Sequence, residues 1–464
     1  MDTIFQYAAY CVITLLLVVL GSRLVFNPLK AYPGPFLARL TNGYAGWHAI
    51  KGDIHLVTYR DHLKYGPVVQ QAPNRLVFNT LTAIQDIYLN PRVAKARIYA
   101  NARFRNTPSV FTALDRADHR RRRRVVGQAI SERSMREFEP TMMSQIDVFL
   151  VQLLHSSRQG QVVEMTSRCK WLAMDVIGLL AFGASWKTQT EETLRFLPKV
   201  FAALNPRVYM FMNWPKTHKI DPGVQWLVRG RIERFRGTTT ATAMCTIFYY
   251  LSRNPSAYAR LASEVRTTFS WGSEIRNGQD LTGCKYLRAV IDESMRICPP
   301  TPGVMWRERD PLSNEPLVVD GHVIPPGTLV GVGTYSLMHN PDYFPEPFAF
   351  RPERWLEGDA ETPEQKETRA NMRRAFIPFI LGDRSCAGKA VAYLEMSLTV
   401  AKTMWYFDFE RAPGQAGELG SGRKGLTGGR DRPNEYQLYD WFMADHEGPN
   451  LVFQPRGKHW EELT

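Results

Sequence analysis

Cys386 is the side chain whose surroundings point most directly to chemistry. It lies in the stretch Phe379-Ile380-Leu381-Gly382-Asp383-Arg384-Ser385-Cys386-Ala387-Gly388, two positions after an arginine and with a glycine on either side. The apolar run Ala387 to Val400 that follows reads as a helix. A thiol at a helix N-terminus faces free backbone N–H groups and the positive end of the helix dipole, and both favour the thiolate. Flanking glycines let the backbone lie close to something flat. A thiolate held open in this way is fit to be an axial ligand to haem iron. A buried structural cysteine in a loop is the alternative for the same residue.

Two further groups of residues carry charge in a pattern. Glu293 and Arg296 stand three apart in the helical run Leu287 to Ile297, share one face and can pair. On a surface such a pair is common and contributes only about a few tenths of a kcal/mol. Arg354, in Phe350-Arg351-Pro352-Glu353-Arg354-Trp355, offers a second guanidinium that can share the Glu293 carboxylate and fix the segment leading to Cys386. The second group is the run of five arginines from Arg120 to Arg124. A solvated helix face and a nucleic-acid patch are its ordinary readings. Neither explains why Asp118-His119 precedes the run and Val125-Val126 follows it.

Phe379, Gly382, Arg384, Cys386 and Gly388 together fit F-x-x-G-x-R-x-C-x-G, and the loop resembles the haem-binding loop of cytochromes P450. Glu293-x-x-Arg296 and Pro352-Glu353-Arg354-Trp355 resemble the family's E-x-x-R and P-E-R-F elements, in the same order, with Trp355 in place of Phe. The resemblance implies haem b (iron protoporphyrin IX) with Cys386 as the axial thiolate, whose electron donation favours O–O cleavage. It also explains the arginine run. In the family a W-x-x-x-R pattern on an early helix meets the haem propionates. Here His119 takes the Trp place and Arg123 the Arg place, with Arg384 and Arg309 as further partners. The remaining arginines are expected to face outward and dock an acidic flavoprotein reductase.

One element departs from the family pattern. Its oxygen-activating helix carries A-G-x-(D/E)-T-T, where an acid and an alcohol deliver protons. The matching stretch here is Phe235-Arg236-Gly237-Thr238-Thr239-Thr240-Ala241-Thr242. Thr239 and Thr240 are the candidate relay alcohols, with Thr240 the better match; packing threonines are the alternative. Thr238 stands where the acid belongs, and Arg236 where the glycine does. The segment Gln225 to Phe235 runs straight into the motif, without the further helix that family members carry there. A deletion near residues 235–237 follows, either real or an error in the gene model. If real, it removes part of the pocket wall and uncouples oxygen reduction from substrate oxidation.

These residues need a scaffold, and helical patterns dominate the chain: Leu56 to Tyr65, Ala117 to Ile130, Pro140 to Ser156, Arg168 to Ala181, Thr238 to Leu251, Ser256 to Phe269, Leu287 to Ile297 and Ala387 to Trp405. Short β signals occur at Val68 to Gln71, Arg75 to Phe78, Leu317 to Val319, His322 to Ile324 and Leu329 to Gly331, with Asp320-Gly321 as a hairpin turn. Residues Gly414 to Arg432 read as an exposed loop. From Thr3 to Ser22 the chain has 20 residues without a charge, enough for a bilayer-spanning helix of roughly 30 Å. Arg23 and Lys30 follow it and place the bulk of the chain on the cytosolic side. Tyr32-Pro33-Gly34-Pro35 reads as a hinge between anchor and body. The six cysteines are scattered, as in a reducing compartment.

The fold expected is mainly α with small β-sheets, a cytochrome P450 fold behind an N-terminal transmembrane helix. Residues 1–28 form the anchor and the start of a linker, and residues 29–464 the haem-thiolate domain. The resemblance, closest to fungal members of secondary metabolism, implies a monooxygenase that oxidises a small apolar substrate with O2 and electrons from an NADPH–cytochrome P450 reductase. It also implies a single-pass protein of the endoplasmic reticulum membrane with its catalytic domain in the cytosol. The net charge of +13 is then read as serving membrane and reductase rather than nucleic acid. The rival functions are a haem-binding pseudoenzyme and a thiolate-haem isomerase or dehydratase, which do not need the missing acid. A membrane-tethered helical scaffold without haem is opposed by the intact cysteine loop.

Overall fold

The computed structural model describes residues 2–103, 107–197, 209–214, 239–358 and 360–463. Its helices include α1 (Asp2–Val25), α2 (Ile54–Tyr65), α3 (Arg116–Ala129), α4 (Glu132–Arg158), α5 (Met165–Phe182), α6 (Thr239–Leu251), α7 (Pro255–Thr268), α8 (Lys285–Ile297) and α9 (Lys389–Tyr406). Side-chain caps set several starts. Asp115 accepts from Asp118 N–H ahead of α3, Ser131 from Ser134 N–H ahead of α4, and Glu164 from Thr166 and Ser167 N–H at α5. The Ser131 cap starts α4 earlier than the sequence predicted, and Pro140 lies inside the helix instead of opening it.

Every side chain of α6 from Ala241 to Leu251 is buried, as befits a helix apolar on all sides. It packs against α5, α8 and α9, while α4 packs against α5 and α9. The core of this bundle holds Phe149, Leu172, Met244, Phe248, Leu398 and Trp405, all buried. Each such side chain contributes roughly 1.5–3 kcal/mol.

The strands are β1 (Val68–Ala72), β2 (Arg75–Phe78), β3 (Val93–Lys95), β4 (Val163–Glu164), β5 (Arg307–Arg309), β6 (Leu317–Val319), β7 (His322–Ile324), β8 (Leu329–Val332), β9 (Phe407–Arg411), β10 (Tyr439–Trp441), β11 (Met443–Asp445) and β12 (Asn450–Pro455). The main sheet has the order β1-β2-β8-β5-β3, with β2 and β8 parallel and its other pairs antiparallel. β6 and β7 form the hairpin predicted at Asp320-Gly321, where both turn residues have positive φ, 51° and 76°. β10–β11 is a second hairpin, and β4-β12-β9 a three-stranded sheet. Gly414 to Arg432 is exposed only in part: Arg423 to Thr427 lie open, whereas Gly417, Ser421 and Gly422 are buried, with a 3-10 turn at Gly414–Glu418 and a bridge from Ser421 to Tyr436.

At the N-terminus the stretch predicted to span a bilayer does form a helix, α1. Among the described residues, however, no helix is long and apolar enough to cross a membrane. The predicted hinge is corrected outright. Gln70 N–H donates to Pro33 O at 2.8 Å, and a Cβ on Gly34 would lie 2.4 Å from Gln70 O. Residues 33–34 are therefore held against β1 and form no free joint.

Candidate functional site

The cysteine loop is a tight turn whose backbone conformation is specified by neighbours. Ile380 and Gly382 have positive φ, 55° and 77°. Cys386 N–H reaches back to Phe379 O at 2.9 Å, and Ser385 N–H to Gly382 O at 3.1 Å. A Cβ on Gly382 would lie 2.1 Å from Tyr88 O, so this glycine serves the approach of the chain to itself, not of a flat partner as the sequence predicted. Gly388 is different: a Cβ there meets nothing within 4 Å, and that side of the loop is open. α9 begins at Lys389, not Ala387, with Gly388 at its N-cap. Cys386 precedes the helix and is exposed. Phe379 packs its ring 5.3 Å from that of Tyr393 on α9.

Arg123 and Arg384 brace this loop. Arg123 Nη1 donates to Ser385 O. Arg384 donates to Ala113 O at 2.7 Å and Leu114 O at 3.1 Å. His119, one turn before Arg123 on α3, is 4% exposed, and its Nδ1 has no partner. Burial, then the charges of Arg384, Lys95 and Arg123, push its pKa down to about 4, with Asp383 opposing.

The sequence reading missed two members of this cluster. Lys95, at the end of β3, is buried under the rings of Tyr99 and Phe111 at 4.4 and 4.1 Å, and donates to Phe111 O. Burial and the nearby Arg307 and Arg384 push its pKa down to about 6. Arg307 is its cross-strand partner, buried, with its guanidinium 5.2 Å from the Tyr88 ring. Arg309, predicted for this role, instead pairs with Val93 at the other end of β5 and does not line the cavity. That cavity, of about 230 Å³, is lined by Tyr88, Lys95, Arg116, Arg307, Gly382 and Arg384, among others. Lys95, Arg307 and Arg384, with the unpartnered imidazole nitrogen of His119 beside them, form an excess of donors that suits a group bearing carboxylates. With an exposed thiol and an open glycine on the same loop, the residues present fit haem.

Behind the loop, Glu293 is fully buried and accepts five hydrogen bonds. Arg296 Nε and Nη2 donate at 2.8 and 2.9 Å, Arg354 Nε and Arg351 N–H each at 3.0 Å. The fifth donor is the indole N–H of Trp355, at 3.0 Å. The tryptophan that departs from P-E-R-F thus adds a donor that phenylalanine lacks. Arg296 also donates to Met338 O and Pro347 O, tying α8 to the segments leading to Cys386.

Thr239 and Thr240 form the first turn of α6, Thr239 exposed and Thr240 half-buried. The preceding stretch, with Phe235, Arg236, Thr238 and the inferred deletion, lies outside the described residues, as do 104–106 and 204–208 of Phe104 to Phe111 and Leu204 to Trp214, the apolar and aromatic segments that the sequence offers as pocket lining. Of those segments the structure shows Phe111, its ring 5.0 Å from Phe442, and Tyr209, 6.1 Å from the same ring.

Known proteins resemble this chain along most of its length. The family model described as cytochrome P450 matches residues 33–236 and 237–429. Relatives include cytochrome P450 monooxygenases from Emericella nidulans (32% identical, covering 98% of this chain and 95% of the relative), Alternaria alternata (32%; 93% and 94%) and Penicillium oxalicum (33%; 93% and 91%).

Proposed function

Because the chain belongs to the cytochrome P450 family of haem-thiolate monooxygenases, we propose that it holds a haem b: Cys386 would ligate the iron through its thiolate, and Lys95, His119, Arg123, Arg307 and Arg384 would hold the propionates. The observation that carries this is the exposed Cys386 thiol on a loop that, at Arg384, lines one cavity with the buried Arg307 guanidinium and the Lys95 amine, next to an unpartnered His119 nitrogen. Bound there, haem supplies reductive activation of O2 and transfer of one oxygen atom to substrate.

The chain's own residues do the rest. Arg123 and Arg384 fix the loop through its backbone carbonyls and its neighbours. The Glu293–Arg296–Arg354 group holds the frame behind it. The Thr240 hydroxyl, with Thr239 beside it, passes protons into the pocket. The substrate is a small apolar molecule, and electrons come from an NADPH–cytochrome P450 reductase docked on the arginines of α3. Attachment to the endoplasmic reticulum membrane by α1 is supported by the exposed Phe5, Tyr7, Tyr10, Ile13 and Val18. A carbon monoxide difference spectrum of the purified, reduced chain tests the haem-thiolate assignment. Cys386→Ala abolishes the thiolate signature, and a variant with unchanged optical bands overturns the reading.

A second reading concerns this chain's competence. The family match breaks between residues 236 and 237, where the sequence runs straight into the oxygen-helix motif. The alignment with the Emericella relative runs over 519 residues, against 464 in this chain. Both support a deletion ahead of α6, leaving the pocket wall short, water admitted and oxygen reduction uncoupled. A haem-binding pseudoenzyme, or an isomerase or dehydratase, is then the alternative activity. Product formed in one-to-one ratio with NADPH by the reconstituted chain excludes both.

A further inference from the structure

The hairpin β10–β11 reverses through one residue. Trp441 pairs with Met443, so Phe442 alone makes the turn, at φ 77°. A bulky aromatic residue in that part of backbone space is an outlier and persists only where its surroundings hold it. Asp440 holds this one. Its Oδ1 accepts the Phe442 N–H at 3.1 Å, and its Oδ2 accepts the Tyr209 hydroxyl at 3.1 Å. Asp440 is fully buried, and its own N–H donates to Gly52 O at 2.8 Å. A single carboxylate therefore joins the hairpin to the helical stretch 209–213.

That stretch is gripped from its other end by Arg75 of β2, itself 1% exposed. Arg75 donates to Asn213 Oδ1 at 2.9 Å and to Met212 O, and Asn213 Nδ2 donates to Tyr209 O at 2.9 Å.

The ring fixed by these contacts packs against Phe111, whose own ring and carbonyl contact Lys95 of the cavity. Phe442 lies 5.0 Å from Phe111, and both are half-buried, while Tyr209 behind them is buried. The segment carrying Phe111 is tied to the cysteine loop by the bonds from Arg384 to Ala113 O and Leu114 O. The hairpin is tied to α6 by Thr242 Oγ1, which donates to Ala444 O at 3.1 Å. Phe111 is thus linked through its segment to the loop of Cys386, and Phe442 through its hairpin to α6.

We propose that Asp440 is a positioning residue for substrate: through the Phe442 N–H and the Tyr209 hydroxyl it holds Phe442 in one arrangement with Phe111, their ring planes 59° apart, giving two angled aromatic surfaces for an apolar substrate that carries an unsaturated ring. The proposal rests on the reading of Cys386 as the haem ligand.

The test uses the haem-loaded full chain and two probes, imidazole and 4-phenylimidazole. Both ligate haem iron through the same ring nitrogen, and only the second carries an apolar ring. Optical titration gives the affinity of each. Asp440→Ala lowers the affinity for 4-phenylimidazole about tenfold and Tyr209→Phe about fivefold, while imidazole affinity stays within about twofold. Asp440→Asn, which keeps an acceptor for the Phe442 N–H, falls between Asp440→Ala and the unmodified chain. Phe442→Ala sets the full loss. If Asp440→Ala does not load haem, Tyr209→Phe decides, since it keeps both the carboxylate and the turn. An unaltered ratio of the two affinities in Tyr209→Phe, or in Phe442→Ala, overturns the proposal. If the unmodified chain gives no carbon monoxide difference spectrum, it is the haem reading that fails, and the proposal with it.

Discussion

Replacing Trp355 by Phe, the residue the family pattern carries, removes one donor from a buried carboxylate and changes little else. Glu293 Oε1 keeps its bonds from Arg296, Arg354 and the Arg351 N–H, while Oε2 is left with Arg296 Nε alone. A hydrogen bond to a charged group contributes about 1.5–3 kcal/mol. The lost indole ring, 7% exposed and 4.7 Å from Phe376, leaves a small void that adds about 1 kcal/mol. Trp355→Phe therefore lowers stability by about 2.5–4 kcal/mol. Urea unfolding followed by circular dichroism measures it. A double-mutant cycle with Glu293→Gln isolates the bond, because the tryptophan donor means less to a neutral amide; a coupling of about 1–2 kcal/mol is expected. A cost below about 0.5 kcal/mol, or the same cost in both backgrounds, would show that the indole N–H does not stabilise the carboxylate.

The remaining predictions concern the loop, the cations and pH. Arg307→Ala weakens haem retention, measured by transfer of haem to an apo-acceptor protein, at least about fivefold more than Arg309→Ala, since one buried charge contact amounts to a kcal/mol or more; equal effects would restore Arg309. Gly382→Ala forces a Cβ to within 2.1 Å of Tyr88 O at φ 77°, so it lowers the thermal stability even of the haem-free chain, whereas Gly388→Ala, with open space around it, does not. Changing Arg120, Arg121 and Arg122 to Glu weakens reductase binding and flattens its salt dependence; an unchanged salt slope would remove α3 from the docking surface. His62 is buried, and that burial pushes its pKa down to about 4 from an ordinary 6.5, against the pull of its bond to Gly66 O. Its neutral form is the one folded, so stability is present above pH 6.5 and lost as pH falls toward 4. Relative to His62→Gln, the native chain loses about 2 kcal/mol between pH 7 and pH 4.5, and equal acid slopes would refute the assignment.

The cysteine loop was legible because its residue types are dense: a glycine at positive φ, a loop-bracing arginine and a thiol occupy nearly every second position. The Glu293 group was legible because helix spacing alone brings Arg296 beside it. Arg307 was not, because it and Arg309 share one face of a three-residue strand, and only packing beneath Tyr88 buries the first. Lys95 was hidden in an apolar strand, where a lysine reads as an edge residue until Tyr99 and Phe111 close over it. The role of Trp355 was equally hidden, since a change from Phe looks conservative until the indole nitrogen is seen to point at Glu293. Gly382 was read correctly as necessary but for the wrong neighbour, which only the approach of Tyr88 discloses.

The bond from Gln70 N–H to Pro33 O has a consequence beyond fixing the N-terminal segment. β1 is the outer strand of its sheet, and outer strands invite pairing with other molecules. Pro33 and Pro35 carry no amide hydrogen, so the segment that covers this border has little to offer an incoming chain. The prolines thereby act as a stop on sheet growth, protecting against self-association the same strand against which they anchor the polypeptide.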